Sequence, residues 1–217
     1  GATFLAPCQS CMSGKYSESS GASAIEGCTP CAEGTWSSSI GANSSSTCTA
    51  CEAGKWSPVL GATRGSSCID CPKGFWSDEA GASEQSSCHK CAAGKYSGQK
   101  AAASELACSR CAPGKYQPIE AAASSTLCIP CAVGNFSALP GASGCNKCPP
   151  GSWGDAFGMT ECNSCPGGTW TRYSGAIRED QCVTWAKPPQ DDDDEDDDDK
   201  DDDDKDDDGD DDEEEEE

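Results

Sequence analysis

Cys-x-x-Cys occurs nine times in this chain, at Cys8/Cys11, Cys28/Cys31, Cys48/Cys51, Cys68/Cys71, Cys88/Cys91, Cys108/Cys111, Cys128/Cys131, Cys145/Cys148 and Cys162/Cys165. The first seven pairs start 20 residues apart, and the last two steps shorten to 17. A fixed period of this length is the mark of a stacked repeat array. In such an array each unit leans on its neighbours, mostly the nearest ones, and does not enclose a core of its own.

Each pair is followed by the same residue types at the same offsets. Gly stands three residues after the second Cys (Gly14, Gly34, Gly54, Gly74, Gly94, Gly114, Gly134, Gly151, Gly168). An aromatic stands two residues later: Tyr16, Trp36, Trp56, Trp76, Tyr96, Tyr116, Phe136, Trp153 and Trp170. A second small residue follows after five more: Gly21, Gly41, Gly61, Gly81, Ala101, Ala121, Gly141, Gly158 and Gly175. Both shortenings fall after this second position, in the variable stretch before Cys145 and Cys162. The first Gly suits a turn with positive φ or a close approach of backbone to a disulfide. The aromatic-Ser stretch suits a strand of a few residues. Two short, loosely paired strands per repeat are expected, with coil between them.

The 19 cysteines are an odd number. If the second Cys of each pair bonds the first of the next, the bridges are Cys11–Cys28, Cys31–Cys48, Cys51–Cys68, Cys71–Cys88, Cys91–Cys108, Cys111–Cys128, Cys131–Cys145, Cys148–Cys162 and Cys165–Cys182. Cys8 is left unpaired or bonded upstream. Gly1-Ala2-Thr3 precedes Cys8 as Gly61-Ala62-Thr63 precedes Cys68, so the chain opens in mid-repeat and reads as a piece of something longer. A tenth pair would begin at Cys182, but Trp185 stands at its second position and is read as a cap. Bridging within each Cys-x-x-Cys would orphan Cys182 and close small rings.

The same spacing also matches four-Cys zinc sites. One histidine, His89, nine pairs that do not divide into fours, and a solitary Cys182 speak for disulfides. So does the balance of residues 1–190, with 13 Lys+Arg against 14 Asp+Glu, because zinc modules that bind nucleic acid carry basic surfaces. An intracellular zinc-repeat protein remains as a further reading. Thioredoxin-like redox chemistry needs a helix after the first Cys, and the x-x-Gly that follows each pair opposes one.

Hydrophobic residues are 35% of the chain and aromatics 6%, too little for one large core. Cross-links must substitute. A disulfide that closes a loop of about 16 residues contributes roughly 3 kcal/mol by restricting the unfolded chain. The fold expected is small, disulfide-rich and β-poor: an elongated rod of about nine stacked 17–20-residue repeats over residues 1–186. In it each aromatic rests on a neighbouring disulfide, although the nine could instead form a ladder for sugar or another chain. A Pro linker follows at 187–190, then a disordered acidic run at 191–217. That run holds 24 Asp/Glu and two Lys, and supplies −22 of the net charge of −23. It is a solvated brush, a weak Ca²⁺ binder without a preformed cage, or a tether for a basic partner. No other cofactor is implied, and no apolar run reaches membrane-spanning length.

Asn43-Ser44-Ser45 and Asn135-Phe136-Ser137 are N-glycosylation sequons, which matter in a secreted chain. No nucleophile–base pair, phosphate-cradling loop or paired carboxylates stand out, so no enzyme is expected.

The segment Cys48-Thr49-Ala50-Cys51-Glu52-Ala53-Gly54-Lys55-Trp56-Ser57, followed by Gly61-Ala62, resembles the ephrin-receptor-like cysteine-rich repeat, a relative of tumour-necrosis-factor-receptor-type modules. Departures are the two short repeats, Gln117 and Gly154 in place of Ser, and Trp185 in place of Cys. The resemblance implies extracellular, disulfide-bonded arrays that serve as stalks, spacers and assembly surfaces. The reading is a non-enzymatic structural segment of a secreted or cell-surface glycoprotein, in a fibre, filament, matrix or surface appendage. Its partners are copies of itself, other extracellular matrix or surface proteins, and glycans, with no nucleic acid. The alternative is a receptor ectodomain that binds a protein ligand. It would require repeats with unusual exposed hydrophobic residues, whereas these repeats look uniform in sequence.

Overall fold

The computed structural model describes residues 10–19 and 27–184. Cys8, Gly21, Trp185, the linker at 187–190 and the acidic run at 191–217 lie outside the described residues.

Each repeat begins with a tight turn. In the first, the Lys15 N–H donates to the Met12 carbonyl at 3.1 Å, and Gly14 has a φ of +79°. This is the third position of a type II turn, where any side chain would be strained. Pro113 and Pro150 occupy the second position of the equivalent turns, where their fixed φ is already correct. The chain leaves the turn extended and pairs antiparallel with the two residues inside the next Cys-x-x-Cys. Lys15–Tyr16 thus lies against Thr29–Pro30, and Phe136 of the strand Asn135–Phe136 against Asn146. Among the described residues there are nine such two-residue ladders and no α-helix. Short 3-10 turns such as Ser45–Thr47 lead into the next first cysteine, and the Ser44 hydroxyl accepts the Ser46 N–H at their start.

Nine disulfides run from each second Cys to the first Cys of the following pair: Cys11–Cys28, Cys31–Cys48, Cys51–Cys68, Cys71–Cys88, Cys91–Cys108, Cys111–Cys128, Cys131–Cys145, Cys148–Cys162 and Cys165–Cys182. The Cα–Cα distances stay between 5.6 and 5.8 Å although two loops are three residues shorter (14 against 17). The deletions therefore remove the three-residue 3-10 turn that precedes the first cysteine elsewhere, and leave the bridge geometry alone.

Neighbouring repeats are also joined through backbone. The Gly14 N–H donates to the Ser37 carbonyl at 2.8 Å, Ser17 N–H to Ala42 at 3.0 Å, and Gly41 N–H to Cys11 at 2.7 Å. The Cys31 N–H donates to the Gly14 carbonyl at 2.8 Å. This set recurs along the array, accompanied by eight parallel bridges that join the first eight aromatics to a residue of the next repeat, from Tyr16↔Ala42 to Trp153↔Ala176.

Contacts do not stop at the nearest neighbour. A Cβ added to Gly14 would fall under 3.0 Å from the Gly61 carbonyl oxygen, in the next repeat but one. The same holds for Gly34 with Gly81, Gly54 with Ala101, Gly74 with Ala121, Gly94 with Gly141, Gly114 with Gly158 and Gly134 with Gly175. The first Gly is thus fixed twice, by its turn and by a backbone passing over its bare Cα. That backbone belongs to a later repeat and not to a disulfide.

The core is made of small residues. Cys31, Cys51, Cys71, Cys91, Cys111, Cys131 and Cys148 are at most 1% exposed, with Ser57, Ser77, Ser97, Ala82 and Ala102 beside them in burial. The aromatics are not the buried centre that their fixed position suggests: eight are half-buried, and Trp170 is 51% exposed. Trp36 lies over Gly65, Trp170 over Gly151, and Trp76 sits at a tilt beside His89, their ring centroids 5.1 Å apart. With backbones drawn together by hydrogen bonds and glycines, the space between repeats admits a thiol or a methyl but no ring.

Candidate interaction surface

The described cysteines are the residues on which sequence and structure place the most weight, and all eighteen are bridged. A sulfur in a disulfide has no thiolate to ligate zinc or attack a substrate. His89 is exposed beside Trp76, and it is the one histidine of the chain. Among the described residues no three His, Cys, Asp or Glu side chains converge to hold a metal.

What remains is surface. Loop tips carry apolar side chains one or two residues before the second Gly or Ala. These are Ile40 (76% exposed), Leu60 (60%), Ile119 (62%), Leu139 (75%), Phe157 (71%) and Tyr173 (74%). The equivalent tips of the two intervening repeats hold Glu79-Ala80 and Gln99-Lys100. The repeats are therefore alike in skeleton but not in what they present, which the uniform motif had concealed. Tip residues belong to no motif and have no fixed type, so only their placement reveals them.

At the last complete repeat a concavity of about 810 Å³ opens beside Trp170, floored by Gly151, Gly167 and Gly168 and edged by Ser164, Pro166 and Thr169. A Cβ on Gly168 would meet nothing within 4 Å, unlike every upstream first Gly in the described array. Upstream first glycines such as Gly134 instead lie against a carbonyl of the next repeat but one.

Charged groups form small local pairs. Lys95 Nζ donates to Glu105 Oε1 at 2.6 Å, and this bond, aided by the lysine's charge, holds the Glu105 carboxyl below its ordinary value of 4.5. Lys90 pairs with Glu120 at 3.4 Å across adjacent repeats, and Lys55 stands 3.9 Å from both Glu52 and Asp70. All are solvent-facing and weak.

The two sequons lie in different settings. Asn43 is exposed, between the bridge residue Ala42 and the cap Ser44. Asn135 is half-buried in its strand, its Nδ2 donates to the Val133 carbonyl at 3.1 Å, and Ser137 is 3% exposed.

The family model described as "Tyrosine-protein kinase ephrin type A/B receptor-like" matches residues 39–88 and 134–182. No curated protein matches the chain. The repeats between and before the two matched segments carry the same bridges, turns and ladders. The two matched segments are thus similar to ephrin-receptor-like cysteine-rich repeats, and the other described repeats share their architecture.

Proposed function

We propose that this chain is a non-enzymatic structural segment of a secreted or cell-surface glycoprotein, part of an extracellular fibre, matrix or surface appendage. The similarity to ephrin-receptor-like repeats and the nine disulfides, which persist in oxidising compartments, support an extracellular setting. The structural role goes further. The observation that carries it is the junction: disulfide, hairpin, three further backbone hydrogen bonds and a next-but-one contact recur along the array. Conserving geometry at every step suits a spacer that must keep its form, and it commits the small residues of each unit to holding the next.

A second reading, the receptor ectodomain with a protein ligand, is favoured by the exposed tips at Ile119, Leu139 and Phe157 in three successive repeats. Sedimentation of the purified full chain over a concentration series separates the two. Concentration-dependent assembly that Leu139→Ser and Phe157→Ser abolish supports the assembly role, with copies of itself as partners. A monomer at all concentrations, with or without added Ca²⁺ for the acidic run, overturns self-assembly and favours a foreign ligand.

A further inference from the structure

Two sequons stand in this array, and the fold treats them differently. N-glycosylation couples an asparagine amide to a sugar, with the hydroxyl two residues on taking part in recognition of the site. In Asn135-Phe136-Ser137 both functional groups are engaged by the fold. The Asn135 amide donates to Val133 at 3.1 Å, and the Ser137 hydroxyl donates to the Leu139 carbonyl at 3.2 Å from a buried position. Phe136 between them pairs with Asn146 in a ladder, and the Cys131–Cys145 bridge closes round the motif.

In Asn43-Ser44-Ser45 the asparagine is exposed and precedes the 3-10 turn Ser45–Thr47, outside any ladder. The Ser44 hydroxyl is engaged with Ser46 in the turn, and the Ser45 hydroxyl donates to the exposed Glu18 carboxylate at 3.0 Å, a partner that water can replace. The equivalent position in the next four repeats holds Thr63, Ser83, Ala103 and Ala123, so small side chains flank the surface along which a sugar would lie.

We infer that Asn43 carries an N-linked glycan and that Asn135 does not, an assignment that rests on the extracellular reading above. The donor is a lipid-diphosphate-linked oligosaccharide. A bond forms between Asn43 Nδ2 and the sugar's anomeric carbon, while the bond from that carbon to the diphosphate oxygen breaks. The lipid diphosphate leaves with the electron pair, and one Nδ2 proton is lost to base. The remaining Nδ2 proton is free at Asn43, whereas at Asn135 it would have to serve Val133.

The experiment is to secrete the full chain from a eukaryotic host, map its peptides without reduction, and release glycans with a peptide-N-glycosidase in heavy-oxygen water. The expected result is a heavy Asp at position 43, an unchanged Asn135, and one glycan-sized mass lost in Asn43→Gln but kept in Ser45→Thr. Bare Asn43 in a chain whose nine disulfides are formed overturns this inference alone. Equal occupancy at Asn135 also overturns it, because the fold would not then discriminate. Free thiols throughout would overturn the extracellular reading and this assignment together.

Discussion

Gly74 lies directly beneath the carbonyl of Ala121, a residue two repeats further along the chain. The contact leaves no room for a side chain, and it makes the turn answerable to a part of the protein that lies beyond its own neighbour. Gly74→Ala should therefore combine left-handed strain with a backbone clash and cost more than ~2 kcal/mol. Gly168→Ala meets nothing within 4 Å and should show the strain alone, about 1 kcal/mol. Amide hydrogen exchange at Ser77, Ala101 and Ala121 reports the first, and equal effects from both substitutions would remove the next-but-one contact from the account.

Ala101 and Ala121 hold φ values of +51° and +59°, where most repeats place Gly. Ala101→Gly and Ala121→Gly should each stabilise the array, by about 0.5–1 kcal/mol after the flexibility that Gly adds to the unfolded chain is subtracted. A rise in the thermal midpoint checks this, and a fall would mean that the two methyl groups contribute packing the backbone does not reveal.

Removing one bridge tests how far stability is shared. Cys111→Ser combined with Cys128→Ser should cost roughly 3 kcal/mol. Because the glycine contacts span two repeats, exchange should quicken between about Cys91 and Cys165 and stay unchanged near Cys31. Uniform loosening along the whole array would show a longer-range cooperativity than the contacts support.

The Lys95–Glu105 pair supplies the pH dependence that can be signed. The folded carboxyl titrates below its unfolded value, so its contribution is complete above the unfolded value and is lost as pH falls through the lower folded one. A carboxyl-carbon titration should place Glu105 below the ordinary glutamate range, and Lys95→Met should return it to that range. The pair is solvent-facing, so the effect on the global midpoint should be slight.

Gln117 stands where most repeats hold a Ser and makes the same kind of bond as Ser37, Ser57 and Ser97. It is 2% exposed, its Oε1 accepts the Ile119 N–H at 3.2 Å, and its Nε2 donates to the Leu127 carbonyl at 2.7 Å. At Ser37, Ser57 and Ser97 the hydroxyl accepts the equivalent N–H at 3.4 Å. Gln117→Met should cost about 1–2 kcal/mol, with Gln117→Ser nearer to wild type, as read from thermal midpoints.

The repeat unit and its turn were legible because they depend on residue types that chemistry leaves no choice about. Only Gly takes a φ near +80° cheaply, and the aromatic strand begins where the turn ends. The contact between Gly74 and Ala121 was not legible, because a bare Cα looks the same whether a turn or a passing carbonyl demands it. The half-burial of the aromatics escaped for a related reason. A ring at a fixed place signals a fixed contact, but not on which side of the backbone the closest packing lies. The apolar tips at Leu139 and Phe157 vary in offset and in type, so their shared location emerges only once the loops are seen in space.

The spacing of the contacts also sets the terms on which such an array can change its length. Copying one whole unit reproduces every bond that the unit makes forwards and backwards, so duplication in the gene is structurally silent. Losing a few residues is tolerated in one stretch, between the second Gly or Ala and the following cysteine, where the bridges from Cys131 and Cys148 span 14 residues as readily as the others span 17. The same loss between the second cysteine and the aromatic would set every later repeat out of step. Growth by whole copies, with trimming confined to one loop, is the only inheritance this geometry permits.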